Sequence, residues 1–335
     1  MRCSLERKDV VQTRVGMVAI LLFGVILITP AQDPAQLRVE VQLVTVDVYV
    51  DTTAGKPVTN LVRDDFEIFE DGQTRDIQNF ESAENPYNIL LLFDRSSSTE
   101  EQWPFLVRAI SGFMQQLPPQ HRVALAAFDD KTAMLSGWKS AQDFNRQGFE
   151  IDTDNSGTDV YGALEWASQE LRKVKGRKGA IVFTDGVDNR LSKKLVSFDK
   201  NGTPSIAPMQ SDRDFQRVLR TVAQNQTPIY FVAVNTDQNP SAGTSLNSFD
   251  MKQREAARLR MEEVANRSNG VLHLPKRIQD VTALYDKIGR ELGHSYSLTF
   301  SPGKPSRDGS YHRIEVRLRD KSMRATASRD GYYAR

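Results

Sequence analysis

Oxygen-bearing side chains cluster directly after an apolar run in the stretch NILLLFDRSSSTEEQW, residues 88–103. Asp94 ends the run, and Ser96 and Ser98 follow at alternate positions, so an extended loop turns both hydroxyls toward one side. Helix capping is an alternative explanation, because Ser98 with Glu101 three residues later has the form of a capping box. Capping does not explain Asp94 at a strand end or Ser96 two residues later, so all three side chains are candidate ligands.

Two later segments carry similar side chains. In TDNSGTDVYGALEWA, Thr158 follows a glycine and precedes a predicted helix, and in AIVFTDGVDN, Asp185 follows another apolar run. Taken singly, Thr158 is explained as a helix cap and Asp185 as a turn residue. If the apolar runs are parallel strands, all five residues reach the same edge of the sheet, where open α/β sheets bind their ligands.

The five side chains form a hard oxygen donor set. Two carboxylates and three hydroxyls, without imidazole or thiolate, suit Mg²⁺, or Mn²⁺ or Ca²⁺ with different geometry. Because hydroxyls are neutral, a cation whose carboxylates act through water keeps much of its charge and attracts one more anionic oxygen. The pattern therefore predicts a docking point for an Asp or Glu carboxylate of a partner protein. Asp129, Asp159 and Asp188 are expected at the rim of this crevice, with solvated loop acids as the alternative.

The elements that must position these residues alternate between buried strands and helices. The apolar runs NILLLFD, HRVALAAFD, KGAIVFTDG and TPIYFVAVN predict a doubly wound, mostly parallel open α/β sheet with helices on both faces. The helices are expected near residues 101–117, 160–174, 212–225, 251–267 and 281–293. Residues 191–211 lack periodicity and are expected to form a surface insertion, with a disordered excursion as the alternative.

The two ends of the chain follow a different pattern. Residues 35–84 alternate between apolar and polar side chains and predict an N-terminal β unit, whose Asp71-Gly72 is a hairpin signal. Residues 295–335 return to the same alternation. We expect these C-terminal strands to pack with the N-terminal β unit around an α/β domain of residues 86–294.

Composition and the first segment bear on location and partners. The chain of 335 residues has 44 Lys and Arg against 43 Asp and Glu, so no nucleic-acid partner is expected. Residues 1–31 have the pattern of a signal peptide, which predicts export to the periplasm, cell envelope or exterior. Membrane contact is expected only if this segment stays as an uncleaved anchor. The single cysteine, Cys3, precedes the apolar run, so a cleaved chain would have no disulfide.

Asp94-x-Ser96-x-Ser98, Thr158 and Asp185 together resemble the metal-ion-dependent adhesion site (MIDAS) of the von Willebrand factor type A (VWA) domain family. The resemblance covers about residues 86–293. It implies that both serines coordinate the metal directly, that the threonine does so in the ligand-bound state, and that both aspartates act through water. The flanking β segments are similar to a bacterial group of VWFA-related domains of acidobacterial type.

Three functions compete at this point. The expected function is an exported, Mg²⁺-dependent protein-binding module without enzymatic activity. The alternative is a structural VWA domain in an envelope complex, whose metal only stabilises the fold. A Mg²⁺-dependent hydrolase has less support, because Ser96 stands where an aspartyl-phosphate enzyme needs a second aspartate and no G-x-S-x-G occurs. None of the 4 histidines stands beside a plausible nucleophile, and packing in the core or at the surface is the expected role of each.

Overall fold

The computed structural model describes residues 43–147, 157–188, 195–225, 227–240, 246–303 and 309–334, all within one compact unit. The predicted signal peptide and Cys3 lie outside these residues. The strands are β1 (Val44–Thr52), β2 (Phe66–Glu70), β3 (Gln73–Arg75), β4 (Ile77–Glu81), β5 (Tyr87–Asp94), β6 (Arg122–Phe128), β7 (Thr132–Ser140), β8 (Arg177–Thr184), β9 (Val196–Phe198), β10 (Pro204–Ile206), β11 (Ile229–Ala233), β12 (Leu272–His273), β13 (Ser295–Phe300), β14 (Tyr311–Leu318), β15 (Met323–Ala327) and β16 (Gly331–Tyr333). The helices are α1 (Trp103–Gln116), α2 (Ala141–Gln147), α3 (Val160–Arg172), α4 (Arg213–Asn225), α5 (Ser248–Ser268) and α6 (Asp280–Gly293).

A central sheet of six strands has the order β12-β11-β8-β5-β6-β7. Every neighbouring pair is parallel except β6 and β7, which are antiparallel and place β7 at one edge. This arrangement confirms the predicted doubly wound α/β fold. The sequence did not predict β7, because its segment TAMLSGWKS has weak apolar alternation and includes a glycine.

Strand β5 is buried on both faces, which explains its unbroken apolar sequence. Leu90 and Leu92 pack in a core with helices α3, α4 and α5. The alternating residues Ile89, Leu91 and Phe93 pack in a second core with α1 and α6. The two cores fix β5 at the centre of the sheet, so its last residue, Asp94, has a defined position at the carboxyl edge.

The insertion after β8 has regular structure in its described part. Strands β9 and β10 form an antiparallel hairpin, and Val196 is buried in the core with α3, α4 and α5. The ring of Phe198 stacks on Phe249 of α5, with 5.6 Å between the ring centroids. The disordered alternative is therefore wrong for residues 195–211, while residues 191–194 lie outside the described part.

Segments from both ends of the chain form two antiparallel sheets, with the strand orders β15-β1-β13-β4 and β16-β14-β2-β3. Strand β1 pairs with β13 and β15, and β2 pairs with β14. Alternate residues of β1, including Val46 and Val48, meet Ile68 of β2 and Leu298 of β13 in one apolar core. The two sheets therefore share a core of their own.

Polar contacts attach this β unit to the amino edge of the central sheet. Arg177, the first residue of β8, donates to Ser295 Oγ at 3.0 Å and to the carbonyl oxygen of Ser82 at 3.2 Å. Tyr230 of β11 donates to Asp47 Oδ2 of β1 at 2.6 Å. The β unit therefore lies against the edge opposite to Asp94. Among the residues described, no helix is long and apolar enough to cross a membrane.

Candidate metal-binding site at the carboxyl edge of the sheet

Asp94 and Asp185 stand at the ends of neighbouring strands. Strands β5 and β8 are parallel, with Phe93 opposite Phe183, so Asp94 is level with Thr184 and next to Asp185. Asp94 is 0% exposed and Asp185 is 1% exposed. Two carboxylates are thus buried side by side at the ligand-binding edge of an open α/β sheet.

Both carboxylate oxygens of Asp94 are held by hydrogen bonds. Oδ1 accepts from the backbone N–H of Ser96 at 3.0 Å, and Oδ2 accepts from Thr184 Oγ1 at 2.6 Å. Thr99 Oγ1 lies 2.7 Å from the carbonyl oxygen of Asp94 and 3.0 Å from that of Ser96. These contacts fix the turn after β5, so the loop presents its hydroxyls from a defined backbone.

The two serine hydroxyls point toward each other. Ser96 Oγ and Ser98 Oγ are 3.0 Å apart, with Ser96 buried and Ser98 exposed. The residues that follow form a 3-10 helix, Ser97–Gln102, in which Ser98 is internal. The capping interpretation of Ser98 is therefore wrong, and its hydroxyl is available at the site.

Thr158 lies between the loops that follow β6 and β8. The backbone N–H of Asp159 donates to the carbonyl oxygen of Asp129 at 2.8 Å, and that of Val160 donates to Asp188 Oδ2 at 3.0 Å. Asp159 caps α3, because its Oδ1 accepts from the N–H of Gly162 at 2.9 Å. Thr158 is consequently not the helix cap. Its side chain is buried, and its Oγ1 has no hydrogen-bond partner among the described residues.

The three predicted rim acids position backbone. Asp129 forms an ion pair with Arg95 and accepts from the N–H of Lys131 at 2.8 Å, while Asp188 and Asp159 hold the start of α3. Asp129 is 3% exposed and Asp188 is 1% exposed. The alternative of solvated loop acids is therefore wrong for Asp129 and Asp188, whose burial follows from the backbone groups that they satisfy.

Asp185 has one occupied and one free oxygen. Oδ1 accepts from the N–H of Val187 at 3.0 Å, which is the turn role considered from the sequence. Oδ2 is buried and has no hydrogen-bond partner among the described residues. Gly186 makes the turn with φ of 74°, and an added Cβ there would lie 2.6 Å from Met261 Cε. The turn thus needs glycine for its backbone, and an added Cβ would also require the flexible Met261 side chain of α5 to move.

The electrostatics of the site favour a cation. Burial raises the pKa of Asp94, and the negative charge of Asp185 raises it further. Burial also raises the pKa of Asp185, although the Val187 N–H, the Ser98 hydroxyl and the charge of Arg254 oppose the rise. Because an opposite charge favours the ionised form, a cation between these acids would lower both pKa values.

The arrangement fits a divalent cation bound by hard ligands. Thr158 Oγ1 and Asp185 Oδ2 are buried oxygens without a partner, and such groups in native proteins usually meet water or an ion. No group of three or more His, Cys, Asp or Glu side chains in the described part is placed to hold a metal. Any metal here would depend on hydroxyl ligands in addition to the two carboxylates.

Three contributing residues were missed by the sequence analysis. Thr184 and Thr99 hold Asp94 and its loop, and Arg254 of α5 is close enough to lower the pKa of Asp185. Thr184 directly precedes Asp185 on the strand, and this adjacency was the available signal. Arg254 had none, because only the folded chain brings α5 beside the end of β8.

Residues 89–187 match the family model of the von Willebrand factor type A domain. The match starts in β5, ends after Asp185 and includes all five candidate ligands. Together with the doubly wound sheet, it shows that the chain contains a von Willebrand factor type A domain. The narrower resemblance to the acidobacterial group stays a prediction.

The chain is similar to several solved structures at low sequence identity. A von Willebrand factor type A structure from Catenulispora acidiphila is 9% identical with a TM-score of 0.44, and the match covers 89% of this chain and 74% of that one. An aerotolerance-related membrane protein from Bacteroides fragilis is 14% identical with a TM-score of 0.41, covering 62% and 98%. Proximal thread matrix protein 1 from the mussel byssus, solved with a zinc-occupied MIDAS motif, is 14% identical with a TM-score of 0.44, covering 66% and 49%. No curated protein matches the chain.

Proposed function

We propose that this domain is a protein-binding module that holds a divalent cation, Mg²⁺ in the first place, and docks a carboxylate of its partner on that cation. Asp94, Ser96, Ser98, Thr158 and Asp185 are the residues that would hold the metal. The bound cation would supply a positive centre with a free coordination position for an anionic oxygen. Mn²⁺ and Ca²⁺ suit the same oxygen ligands with different geometry.

The observation that carries the proposal is the pair of buried oxygens without partners at one sheet edge, Thr158 Oγ1 and Asp185 Oδ2. Leaving a buried polar group unpaired costs about 1–3 kcal/mol. No surrounding residue that the structure describes relieves this cost. Both carboxylate oxygens of Asp94 and the Oδ1 of Asp185 each accept a hydrogen bond, so only Thr158 Oγ1 and Asp185 Oδ2 are left without one. A cation would satisfy both free oxygens at once and offset the burial of two carboxylates.

The histidine positions support binding over catalysis at the carboxyl edge. His121 Nδ1 accepts from the N–H of Tyr87 at 2.8 Å, and its Nε2 lies 2.8 Å from the carbonyl oxygen of Gly293. Both partners are at the amino edge of the sheet, opposite to the site. His312 lies in the β unit, where its Nδ1 is 2.7 Å from Asp71 Oδ2 and its Nε2 is 2.9 Å from Ser310 Oγ, so the prediction that no histidine stands beside a nucleophile is wrong for His312. Neither imidazole lies at the carboxyl edge, and we infer that the candidate metal site binds its partner and is not an enzyme active site.

We place the module outside the cytoplasm, in the periplasm, envelope or exterior. The support is the signal-peptide pattern of residues 1–31. Attachment to a larger assembly would use the β unit, because it lies opposite to the candidate site and leaves that edge accessible.

The test is selection of phage-displayed dodecapeptides with a fixed central aspartate by the full chain in Mg²⁺, with elution by EDTA. A twin library with asparagine at that position is the matched control. The proposal predicts EDTA-released clones from the aspartate library only, and loss of those clones with Asp185→Asn protein.

Equal recovery from both libraries, or recovery that persists in EDTA, would remove the metal-bridged carboxylate from consideration. A melting temperature that falls in EDTA while peptide capture is unchanged would favour the second candidate, a structural domain whose metal only stabilises the fold.

A further inference from the structure

A second cavity opens beside the candidate metal site. It has a volume of about 450 Å³, within the range of about 300–1,000 Å³ that is usual for ligand pockets. Its walls come from the start of α1, the end of β11 and the connection between β12 and α6. We name it the side groove. Its lining is mixed: the apolar residues are Phe105, Val234, Pro240, Pro275 and Ile278, and the polar residues are Gln102, Asn235, Asn239, Lys276, Arg277 and Gln279.

The side groove and the metal site share structural elements. The 3-10 helix Ser97–Gln102 has Ser98 near one end, and Gln102 at its other end lines the groove. The N–H of Val234 donates at 3.2 Å to the carbonyl oxygen of Thr184, the residue before Asp185. A peptide with a carboxylate at the metal site would therefore find the groove next to it, along the same edge of the sheet.

The side groove is held open by one asparagine. Asn239 Nδ2 donates to the carbonyl oxygen of Ala233 at 3.0 Å and to that of Pro275 at 2.7 Å. Its Oδ1 accepts from Thr236 Oγ1 at 2.6 Å. These bonds join two walls of the groove without a ligand. A peptide would therefore bind a preformed cavity, and the protein would lose little conformational entropy on binding.

Apolar groups line the side groove, and cations stand around it. Phe105 and Ile278 are partly exposed, so each offers apolar surface to a side chain that enters the groove. Lys276 and Arg277 are exposed at the wall, and Arg108 lies over the ring of Phe105 at 4.8 Å. Arg277 is paired with Asp280, whereas Lys276 makes no ion pair within the described residues.

We propose that the side groove binds an apolar side chain of the same partner segment whose carboxylate docks at the metal site, and that Lys276 favours a further acidic residue beside it. The partner is thus an acidic peptide segment with an apolar residue a few positions from the docking aspartate. This inference rests on the proposed function and adds the sequence preference of the partner.

The experiment uses the aspartate-centred phage library and the full chain. Clones selected in Mg²⁺ should be enriched in an apolar residue at one fixed spacing from the aspartate and in a second acid. Ile278→Ser should weaken the binding of these clones about tenfold, the loss expected for part of one apolar side-chain contact. Lys276→Glu should weaken the binding of clones that carry a second acidic residue about fivefold, as expected for an exposed charge contact. In both variants, the remaining binding should still disappear in EDTA.

Matched controls lie far from the groove. Leu135→Ser replaces an apolar residue of β7 that is 40% exposed, and Lys321→Glu reverses an exposed charge of the β unit. Neither should change peptide binding. Aspartate-dependent clones without an apolar preference, or clones that bind Ile278→Ser as tightly as the wild type, would overturn the inference and leave the proposed function standing. Equal capture of clones from the asparagine library would overturn both this inference and the proposed function.

Discussion

Thr184 Oγ1 donates a hydrogen bond of 2.6 Å to Asp94 Oδ2 and accepts one of 2.8 Å from the N–H of Gly186. A single hydroxyl thus joins the ends of β5 and β8 and the turn after Asp185. It holds one carboxylate of the candidate site and the backbone that carries the other. The relative position of the two aspartates depends on a residue that would not itself bind the metal.

Thr184→Val keeps the shape of this side chain and removes the hydroxyl. We expect the free energy of unfolding in EDTA to fall by about 2 kcal/mol, because a hydrogen bond to a charged group is lost. Mn²⁺ affinity, followed by water proton relaxation, should fall about tenfold or more, as for other residues that orient metal ligands. Unchanged Mn²⁺ affinity would mean that Thr184 does not orient Asp94. Thr326→Val, at an exposed position of β15, is the control.

Thr158→Val should separate metal binding from stability. The hydroxyl is buried without a partner, so its removal should raise the free energy of unfolding in EDTA by about 1 kcal/mol. The same variant should bind Mn²⁺ more weakly than the wild type. A variant that is less stable in EDTA would show that the hydroxyl has a hydrogen-bond partner in solution. The unpaired hydroxyl of Thr158 would then no longer indicate a metal site.

Gly186→Ala tests the turn that carries Asp185. An alanine at φ of 74° is strained by about 1–2 kcal/mol, and its Cβ would contact Met261 Cε at 2.6 Å. Chemical denaturation should therefore show a loss of at least that size. Gly137→Ala is the control, because an added Cβ there has nothing within 4 Å. Equal effects of the two substitutions would contradict the described turn.

His121 predicts a pH dependence of stability. Burial lowers its pKa to about 4, from an ordinary value of 6.5. Below pH 6.5 the unfolded chain binds a proton that the folded chain excludes, so this stability is complete above pH 6.5 and is lost as the pH falls toward 4. The wild type should lose about 2 kcal/mol from this group between pH 7 and pH 5.

Denaturation at the two pH values measures this loss. His121→Gln should be less stable at pH 7, since the Tyr87 N–H and the Gly293 carbonyl lose a partner, and its stability should change less with pH. A variant with the wild-type pH profile would assign the effect to other groups, such as His273, whose pKa burial also lowers to about 4.

The sequence was most informative where burial dictates composition. Strands β5, β8 and β11 are apolar on both faces because helices cover both faces, and such runs are visible without a structure. The order of Asp94, Ser96, Ser98, Thr158 and Asp185 along the chain then indicated a common edge. Their roles as metal ligands stay predictions.

Features that depend on contacts between distant parts of the chain could not be predicted from the sequence. The hairpin of β9 and β10 is ordered by contacts such as Phe198 on Phe249, which no local pattern encodes. The roles of Asp129 and Asp188 depend on backbone groups of distant loops. The side groove likewise requires Asn239 to meet the carbonyl oxygen of Pro275.

The central claim is that the five oxygen side chains bind a divalent cation. The most direct measurement is thermal unfolding of the full chain in Mg²⁺, in Mn²⁺ and in EDTA, for the wild type and for Ser96→Ala/Ser98→Ala. Ser197→Ala/Ser205→Ala is a matched control, because these two hydroxyls are also paired, at 2.9 Å, in the hairpin of β9 and β10.

A metal at ten times its dissociation constant should stabilise the wild type and the control by about 1.4 kcal/mol, and the Ser96→Ala/Ser98→Ala protein far less. Identical unfolding curves for the wild type in millimolar Mg²⁺, millimolar Mn²⁺ and EDTA would contradict the claim. An equal rise in all three proteins would also contradict it, since the metal would then bind elsewhere.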